Sequence, residues 1–383
     1  MTQTLDKPSG LPMLLNGRQD RPRSFDTSAF PAVTGREEEW RFTPVKKLAD
    51  LFEEATSSAQ LTGEDSLPQG VTRQTITTEA AQSHGILAPE DRPAVLAAAG
   101  APEVVHYDVP ADLELDEPVV IRANGADAGA VRAHTLLTVG AHAKATIVLE
   151  HEGLARYSEL LSIVVGDGAD VTVASLQLWD DGAVHLGQHD ALVGRDARYR
   201  HIAVSLGGDI VRLNSNVRYA GPGGEAELLG LYFADAGQHL EHRTYIDHNT
   251  PKATSNVMYK GALQGTDARS VWVGDVLIRP EALGIDTYEL NRNLILTDGA
   301  RADSVPNLEI ETGDIEGAGH ASSTGRFDEE HLFYLMSRGI PEEEARRLVV
   351  RGFFQEVILK IGIPEVEEVL SRKIEDELSR SVL

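Results

Sequence analysis

The rhythm of hydrophobic and polar positions changes twice along the chain. In the first hundred residues it is uneven. Met1–Pro31 is rich in Pro, Gly, Arg and Asp and predicts a poorly ordered leader. Within EEEWRFTPVKKLADLFEEA (Glu37–Ala55), Val45, Leu48, Leu51 and Phe52 recur at helical spacing behind Pro44. Proline suits a first helical turn, so a turn followed by a helix is predicted there. SSAQLTGEDSLPQG reads as a linker, and Pro89–Gly100 as a further short helix ending at a glycine.

From about Val104 to Glu311 helix-period segments vanish. Short β-branched runs alternate with Gly, Asp and Asn turns, and one phrase recurs: VGAHAKATIVL, VGDGADVTVAS, VGRDARYRHIA and AGPGGEAELLG. Each is an apolar residue, a glycine, a tight turn, a small residue and a strand. The glycines, Gly140, Gly166, Gly194 and Gly221, are 26, 28 and 27 residues apart. Weaker copies, QGTDARSVWVG and TDGARADSVPN, follow at longer intervals. A strand-and-turn repeat in the twenties predicts a solenoid, because one coil cannot bury its apolar face alone whereas stacked coils share a core. A parallel β-helix fits best; a β-sandwich with recurrent hairpin turns is the alternative.

After Gly325 the helical period returns. Asp328 suits an N-cap, with Glu329 and Glu330 in the first turn, and the segment runs to Gly339. Pro341 and three glutamates open a second helix closing at Gly362, with Ala345, Leu348, Val349, Phe353, Val357 and Ile361 on the expected inner face. A last helix places Val366, Val369, Leu370, Ile374 and Leu378 inward. The chain thus divides into residues 1–100 (leader and small helical region), 101–325 (β-helix core) and 326–383 (helical domain).

Composition narrows the function classes. Of 383 residues, 42% are hydrophobic and 25% charged, the mix of a globular protein. A formal charge of −25 repels nucleic acid and anionic lipid. No apolar run reaches the roughly 20 residues of a membrane helix, and the start lacks a secretory signal, so a cytoplasmic location is expected. The absence of cysteine excludes disulfides and any thiolate metal site built from this chain alone.

Phosphate-loop, nucleophile-elbow and zinc-helix motifs are absent, so ATP binding by the chain itself is not expected. GQHLEHRTYIDHN (Gly237–Asn249) is the densest histidine cluster. On a strand, His239 and His242 point to opposite faces, and His242 and His248 would lie about 20 Å apart, so ordinary surface or core-edge histidines are expected. His151 and the LGQHD stretch (Leu186–Asp190) are weaker metal candidates. Glu309 and Glu311 share a strand face and would suit a sugar-cleaving β-helix enzyme, but solvated strand polarity explains them as well. GDIEGAGHASSTGRFDEE (Gly313–Glu330) sets His320 among small residues. That composition fits a flexible hinge or a surface that something approaches closely.

Several blocks, EEWRFTP, HRTYIDHNTPKATSNVMYKGAL, NRNLILTDGARADSVPNLEIE and NLEIETGDIEGAGHASSTGRFDEEHLFYLMSRGI, resemble the SufD branch of the SufB/SufD family of iron–sulfur cluster assembly proteins. The resemblance spans roughly residues 30–383. It implies a right-handed parallel β-helix with helical N- and C-terminal domains, and a non-catalytic scaffold role. Members pair with a SufB-like subunit and bind a SufC-like ABC ATPase through their C-terminal helices; a purely structural homodimer, formed in isolation through the surface meant for the SufB-like subunit, is the alternative. The resemblance assigns His320 to iron or a transient cluster shared with a partner cysteine, with no cofactor bound stably by the isolated chain. Where many members carry a cysteine shortly before that histidine, this chain has Gly317. Phe333, Arg338, Leu348, Phe353 and Phe354 are the expected ATPase-docking residues.

Overall fold

The computed structural model describes Arg18, residues 21–327 and residues 329–380; most of the expected leader and the N-cap at Asp328 lie outside the described residues. The region expected as a helix at Glu37–Ala55 is instead a 3₁₀ turn, Glu38–Trp40, and an eight-residue 3₁₀ helix, Val45–Phe52. Leu48 and Leu51, three residues apart, eclipse on a three-residue turn and are both fully buried, so the tighter helix serves this packing. There follow β1 (Thr72–Ile76), α1 (Thr78–Gln82) and α2 (Arg92–Gly100). Asp91 caps α2 by accepting from the Ala94 amide at 3.0 Å, with Pro93 in the first turn.

The solenoid begins with β2 (Val104–Val109), β3 (Val119–Val139) and β4 (Lys144–Val165). β4 turns a corner at Gly153, φ +77°, so residues 144–153 pair with one sheet face and residues 156–165 with the other. Two strands per coil follow: β5 (Asp170–Trp179) and β6 (Val184–Val193), β7 (Arg198–Ser205) and β8 (Ile210–Tyr219), β9 (Glu225–Ala234) and β10 (His239–His248), β11 (Thr254–Leu263) and β12 (Arg269–Ile278), then β13 (Ile285–Ile295) and β14 (Arg301–Ile310). β15 (Ile315–Arg326) starts a last, half-finished coil. Odd strands from β5 to β15 form one face and even strands from β6 to β14 the other, and each pairs in parallel with the next strand but one. A sandwich of hairpins would pair sequence neighbours antiparallel. The fold is a parallel β-solenoid of about 8 turns.

The repeated glycines explain the period. The Gly166 amide donates to the Val139 carbonyl at 2.8 Å, and the Gly194 amide to Val165 at 2.9 Å. A Cβ on Gly194 would press within 2.7 Å of the Gly166 carbonyl carbon and the Asp167 amide, so these corners stack backbone on backbone. The weaker copies at Gly265 and Gly299 belong to the opposite corner, between β11 and β12 and between β13 and β14. The first corner continues instead through Lys252, whose amide bonds the Leu283 carbonyl at 2.8 Å. The irregular spacing therefore mixes two columns of turns.

Each sheet is covered on its outer side. α3 (Glu329–Ser337), α4 (Glu342–Ile361) and α5 (Pro364–Arg380) follow the solenoid. Val350, Phe354, Val357, Ile358 and Ile361 of α4 and Val366, Leu370, Ile374 and Leu378 of α5 pack on Leu176, Ile202, Leu229 and Leu231 of the odd sheet. Lys260 of β11 fixes α4 by donating to the Phe353 carbonyl at 2.9 Å and to Glu356 at 2.7 Å. The inner face of α4 is thus rotated from expectation: Leu348 is exposed, while Val349 and Phe353 are only half-buried. On the even sheet, Trp40, Leu48, Leu51 and Phe52 cover Val184, Leu186 and Ile210. Arg212 of β8 lies 3.9 Å from the centre of the Trp40 ring and donates to Asp91 at 2.8 Å and Glu241 at 3.3 Å, which locks the N-terminal segment to the solenoid.

Candidate functional site

The stretch around His320 is no hinge. It is β15, the final strand of the odd sheet, paired only with β13 along that sheet, while β14 ends the even sheet. Among the described residues the solenoid therefore finishes in two open strand edges, a surface ready for further pairing. Most strands of the middle coils are almost wholly buried, whereas β14 and β15 carry exposed and half-buried residues along their length.

Register decides which way His320 points. Along β13, Thr287, Glu289, Asn291 and Asn293 are buried and Asp286, Tyr288 and Arg292 exposed, so alternate residues enter the solenoid. Their partners on β15 are Ala318, His320, Ser322 and Thr324. His320 thus shares the inward side with Glu289 but is exposed, because no coil lies beyond it. Its neighbours Gly317 and Gly319 lie flat, with added Cβ atoms 3.0 Å from Asp286 Oδ1 and 3.3 Å from the Tyr288 ring.

Behind this mouth the interior is polar. Asn293 accepts from the Tyr232 hydroxyl at 2.6 Å, and its Nδ2 donates to Asn291 at 2.8 Å and to Ser304 at 3.0 Å. Ser304 closes the ring by donating to Asn291 Oδ1 at 2.6 Å. Glu289 is 1% exposed, and among the described residues no hydrogen bond of full geometry reaches either carboxylate oxygen, the Thr244 side chain giving it only weak support. Burial, reinforced by the charge of Asp275, pushes its pKa up to about 8, so at neutral pH it holds a proton. The mouth offers one accessible imidazole, hydroxyls and amides, with a neutral carboxyl one rung inward. Sequence reasoning missed Glu289, Asn291 and Asn293; the sign was a strand, IDTYELNRNLI, with polar residues on the alternate positions a solenoid normally fills with apolar ones.

The histidines of β10 are neither surface nor gathered. His239 and Glu241 face the even sheet's outer side, with Nε2 3.1 Å from Glu241. His242 stacks on Tyr232 at 5.1 Å inside the solenoid, and burial drives its pKa down to about 3. His248 Nε2 bonds Ser255 at 2.9 Å. Strand geometry keeps the three apart. Glu309 lines a cleft of about 700 Å³ that includes Trp40, Arg243, Tyr245 and Asn307, but Glu311 is not part of its lining, so these carboxylates do not converge there.

Of the expected docking residues, Phe333 is 75% exposed, and Leu348 and Arg338 are exposed, with Arg338 over the Tyr334 ring at 5.2 Å. Phe354 is fully buried against the odd sheet and anchors α4 rather than offering a surface. Phe353 is half-buried, with Lys260 Nζ 5.1 Å from its ring centre. Tyr334, Met336 and Leu359, unforeseen from the sequence, add to the exposed apolar side of α3 and α4. Among the described residues no helix is long and apolar enough to cross a membrane.

Comparison with known proteins agrees with this architecture. Residues 121–353 match the family model for the SufBD core domain of SUF-system FeS cluster assembly. The chain is 51% identical over 365 residues to an iron–sulfur cluster assembly SufBD family protein of Mycobacterium tuberculosis, covering 93% of this chain and 91% of that one. A Mycobacterium leprae protein of the same description is 50% identical over 364 residues, covering 93% of each. The iron–sulfur cluster assembly protein SufD of Bacillus subtilis is 29% identical over 275 residues, 70% of this chain and 62% of that one. With a core-domain match over more than half its length and relatives at half identity across nearly all of it, the chain belongs to the SufBD family of iron–sulfur cluster assembly proteins.

Proposed function

We propose that this chain is the SufD-like, non-catalytic scaffold subunit of a cytoplasmic complex that builds iron–sulfur clusters and passes them on. The observation that carries the reading is His320, an exposed imidazole on the terminal strand of the odd sheet, at the open end of a rigid solenoid. Thiolates are the usual cluster ligands and imidazole replaces them at some sites. A chain without cysteine therefore needs a partner's thiolate beside His320, which a SufB-like subunit docked on the edges of β14 and β15 would supply. The flat glycines beside the ring let that partner approach closely. The cluster is cargo, held between two chains and released from them.

The exposed apolar side of α3 and α4, with Phe333, Tyr334, Leu348 and Leu359, is the docking surface in this reading for a SufC-like ATPase. Nucleotide-driven movement of that ATPase would shift the subunit seam and open the site. Without its partner, the same two open edges suit a second copy of this chain, and a homodimer is the expected resting form. Co-expression with candidate SufB-like and SufC-like chains tests the reading: a stable complex is expected. A chain that ignores both partners contradicts it.

A further inference from the structure

A second constellation lies inside the early coils, far along the chain from His320. His151, Tyr157 and Glu159 project from β4, His185 and His189 from β6, and Trp179 from the end of β5. All six are buried. Glu159 Oε1 accepts from His185 Nε2 at 2.9 Å and from His189 Nε2 at 2.8 Å, and Oε2 accepts from the Tyr157 hydroxyl at 3.0 Å. Among the described residues the ion-pair partners of this carboxylate are all histidines. A carboxylate buried without lysine or arginine needs a positive charge close by, or it must take up a proton.

Among the protein's own groups His189 can supply part of that charge, with Nε2 on Glu159 Oε1 and Nδ1 3.0 Å from His201 Nε2; hydrogen-bond chemistry fixes the other two imidazoles. Indole N–H only donates, and Trp179 Nε1 lies 3.2 Å from His185 Nδ1, so Nδ1 is bare and His185 is neutral with its proton on Nε2. A carbonyl only accepts, and His151 Nδ1 lies 3.2 Å from the Leu176 oxygen, so His151 carries its proton on Nδ1. Its other ring nitrogen, Nε2, faces Glu159 Oε2 at 4.0 Å and is bare in this tautomer. Two electron-pair donors confront each other there with no proton between them. That gap is too long for a hydrogen bond. A tetrahedral ion about 2.0–2.2 Å from each would hold the two atoms roughly 3.4 Å apart, so a closing of about half an ångström brings both onto one ion. The carbonyl behind His151 is also the usual backing of a metal-bound imidazole.

We propose that His151, Glu159 and His185 form a buried site for a first-row divalent cation, zinc or ferrous iron by ligand type. One donor atom from each lies within 4.8 Å of the others. Two imidazoles and a carboxylate suit both ions. Binding requires the His185 proton to move from Nε2 to Nδ1, with no net proton released. The Trp179 N–H then faces another N–H and must turn away. The ion would be taken up as the chain folds, since none of the three side chains is more than 3% exposed. The site is structural, tying β4 to β6, and stands independently of the role given to His320. It also departs from the expectation that the isolated chain holds no stable cofactor.

The test is metal analysis of the full chain, expressed without chelator in minimal medium supplemented with zinc, and separately with cobalt. About one equivalent of metal should survive gel filtration. The cobalt form should show ligand-field bands without sulfur charge transfer, and Trp179 emission should shift relative to metal-free protein. Glu159→Gln and His151→Gln should each lose the ion. His151→Gln keeps an amide donor for the Leu176 carbonyl and so guards against a folding defect. Trp179→Phe should keep the metal and lose the emission change. Chain that is folded by circular dichroism yet metal-free after zinc-rich expression overturns the proposal, as does full metal content in folded His151→Gln.

Discussion

Glu289 and His320 are register partners on β13 and β15, one rung apart, the first buried as a neutral carboxyl and the second exposed at the solenoid mouth. The pair shows what ends a β-helix without a cap. The last inward side chain meets solvent or a partner, and the one behind it is desolvated with only weak support. The site is therefore half inside the fold, and its two halves respond to different measurements.

Glu289 should make stability depend on pH. Its folded pKa of about 8 lies above the ordinary carboxylate value, so between roughly pH 4.5 and 8 the folded state holds more protons than the unfolded one. Stability should then fall as pH rises through this window, by up to a few kcal/mol. Glu289→Gln removes this contribution and should melt higher than the parent at pH 8, with little difference at pH 4.5. Thermal melts of both proteins across the range check this.

Tyrosine and glycine interlock between coils. Tyr259 is in register with Gly230, and Gly261 with Tyr232. A Cβ at Gly230 would overlap the Tyr259 ring, and one at Gly261 the Tyr232 ring. Gly230→Ala should cost about 1–3 kcal/mol through overpacking, measured by urea unfolding. Gly237→Ala makes a useful contrast: its added Cβ meets nothing within 4 Å, and the penalty there comes from its positive φ alone.

The helices give opposite signatures on their two sides. Phe354→Ala should destabilise by about 3–5 kcal/mol, because the ring is fully buried between α4 and the odd sheet. Phe333→Ala and Leu359→Ala, at exposed positions, should leave the melting temperature within about a degree or two while weakening ATPase-subunit binding at least tenfold. Calorimetric titration with the SufC-like chain and melts of each variant separate the two outcomes.

What the sequence made legible followed from periodicity. The column of Gly140, Gly166, Gly194 and Gly221 announced the coil length, because at the first three an added Cβ would run into the backbone of the preceding coil. The opposite column stays hidden in the sequence, since its Gly–Asp copies at Gly265 and Gly299 repeat much the same phrase as the first. The inner side of α4 was misjudged because Leu348, Val349, Val350, Phe353, Phe354, Val357, Ile358 and Leu359 are apolar nearly all round, and only docking on the odd sheet selects Phe354. His320 was visible through its small neighbours. The strand conformation that aims it was not, because glycine, alanine and serine have weak strand preference and pairing with β13 imposes it. Of the cluster at Glu159, His151 and the LGQHD stretch were legible as weak metal candidates, but not their meeting with Glu159 and His185, because stacking alone unites residues from separate coils.

The central claim is that His320 presents an imidazole to cargo at a seam between chains. Its most direct test is anaerobic reconstitution of the complex with the SufB-like and SufC-like subunits, following cluster absorbance for parent and His320→Ala. The account predicts an intact complex with an unchanged melting temperature and cluster formation reduced at least tenfold in the variant. Undiminished cluster formation by an intact His320→Ala complex would contradict it.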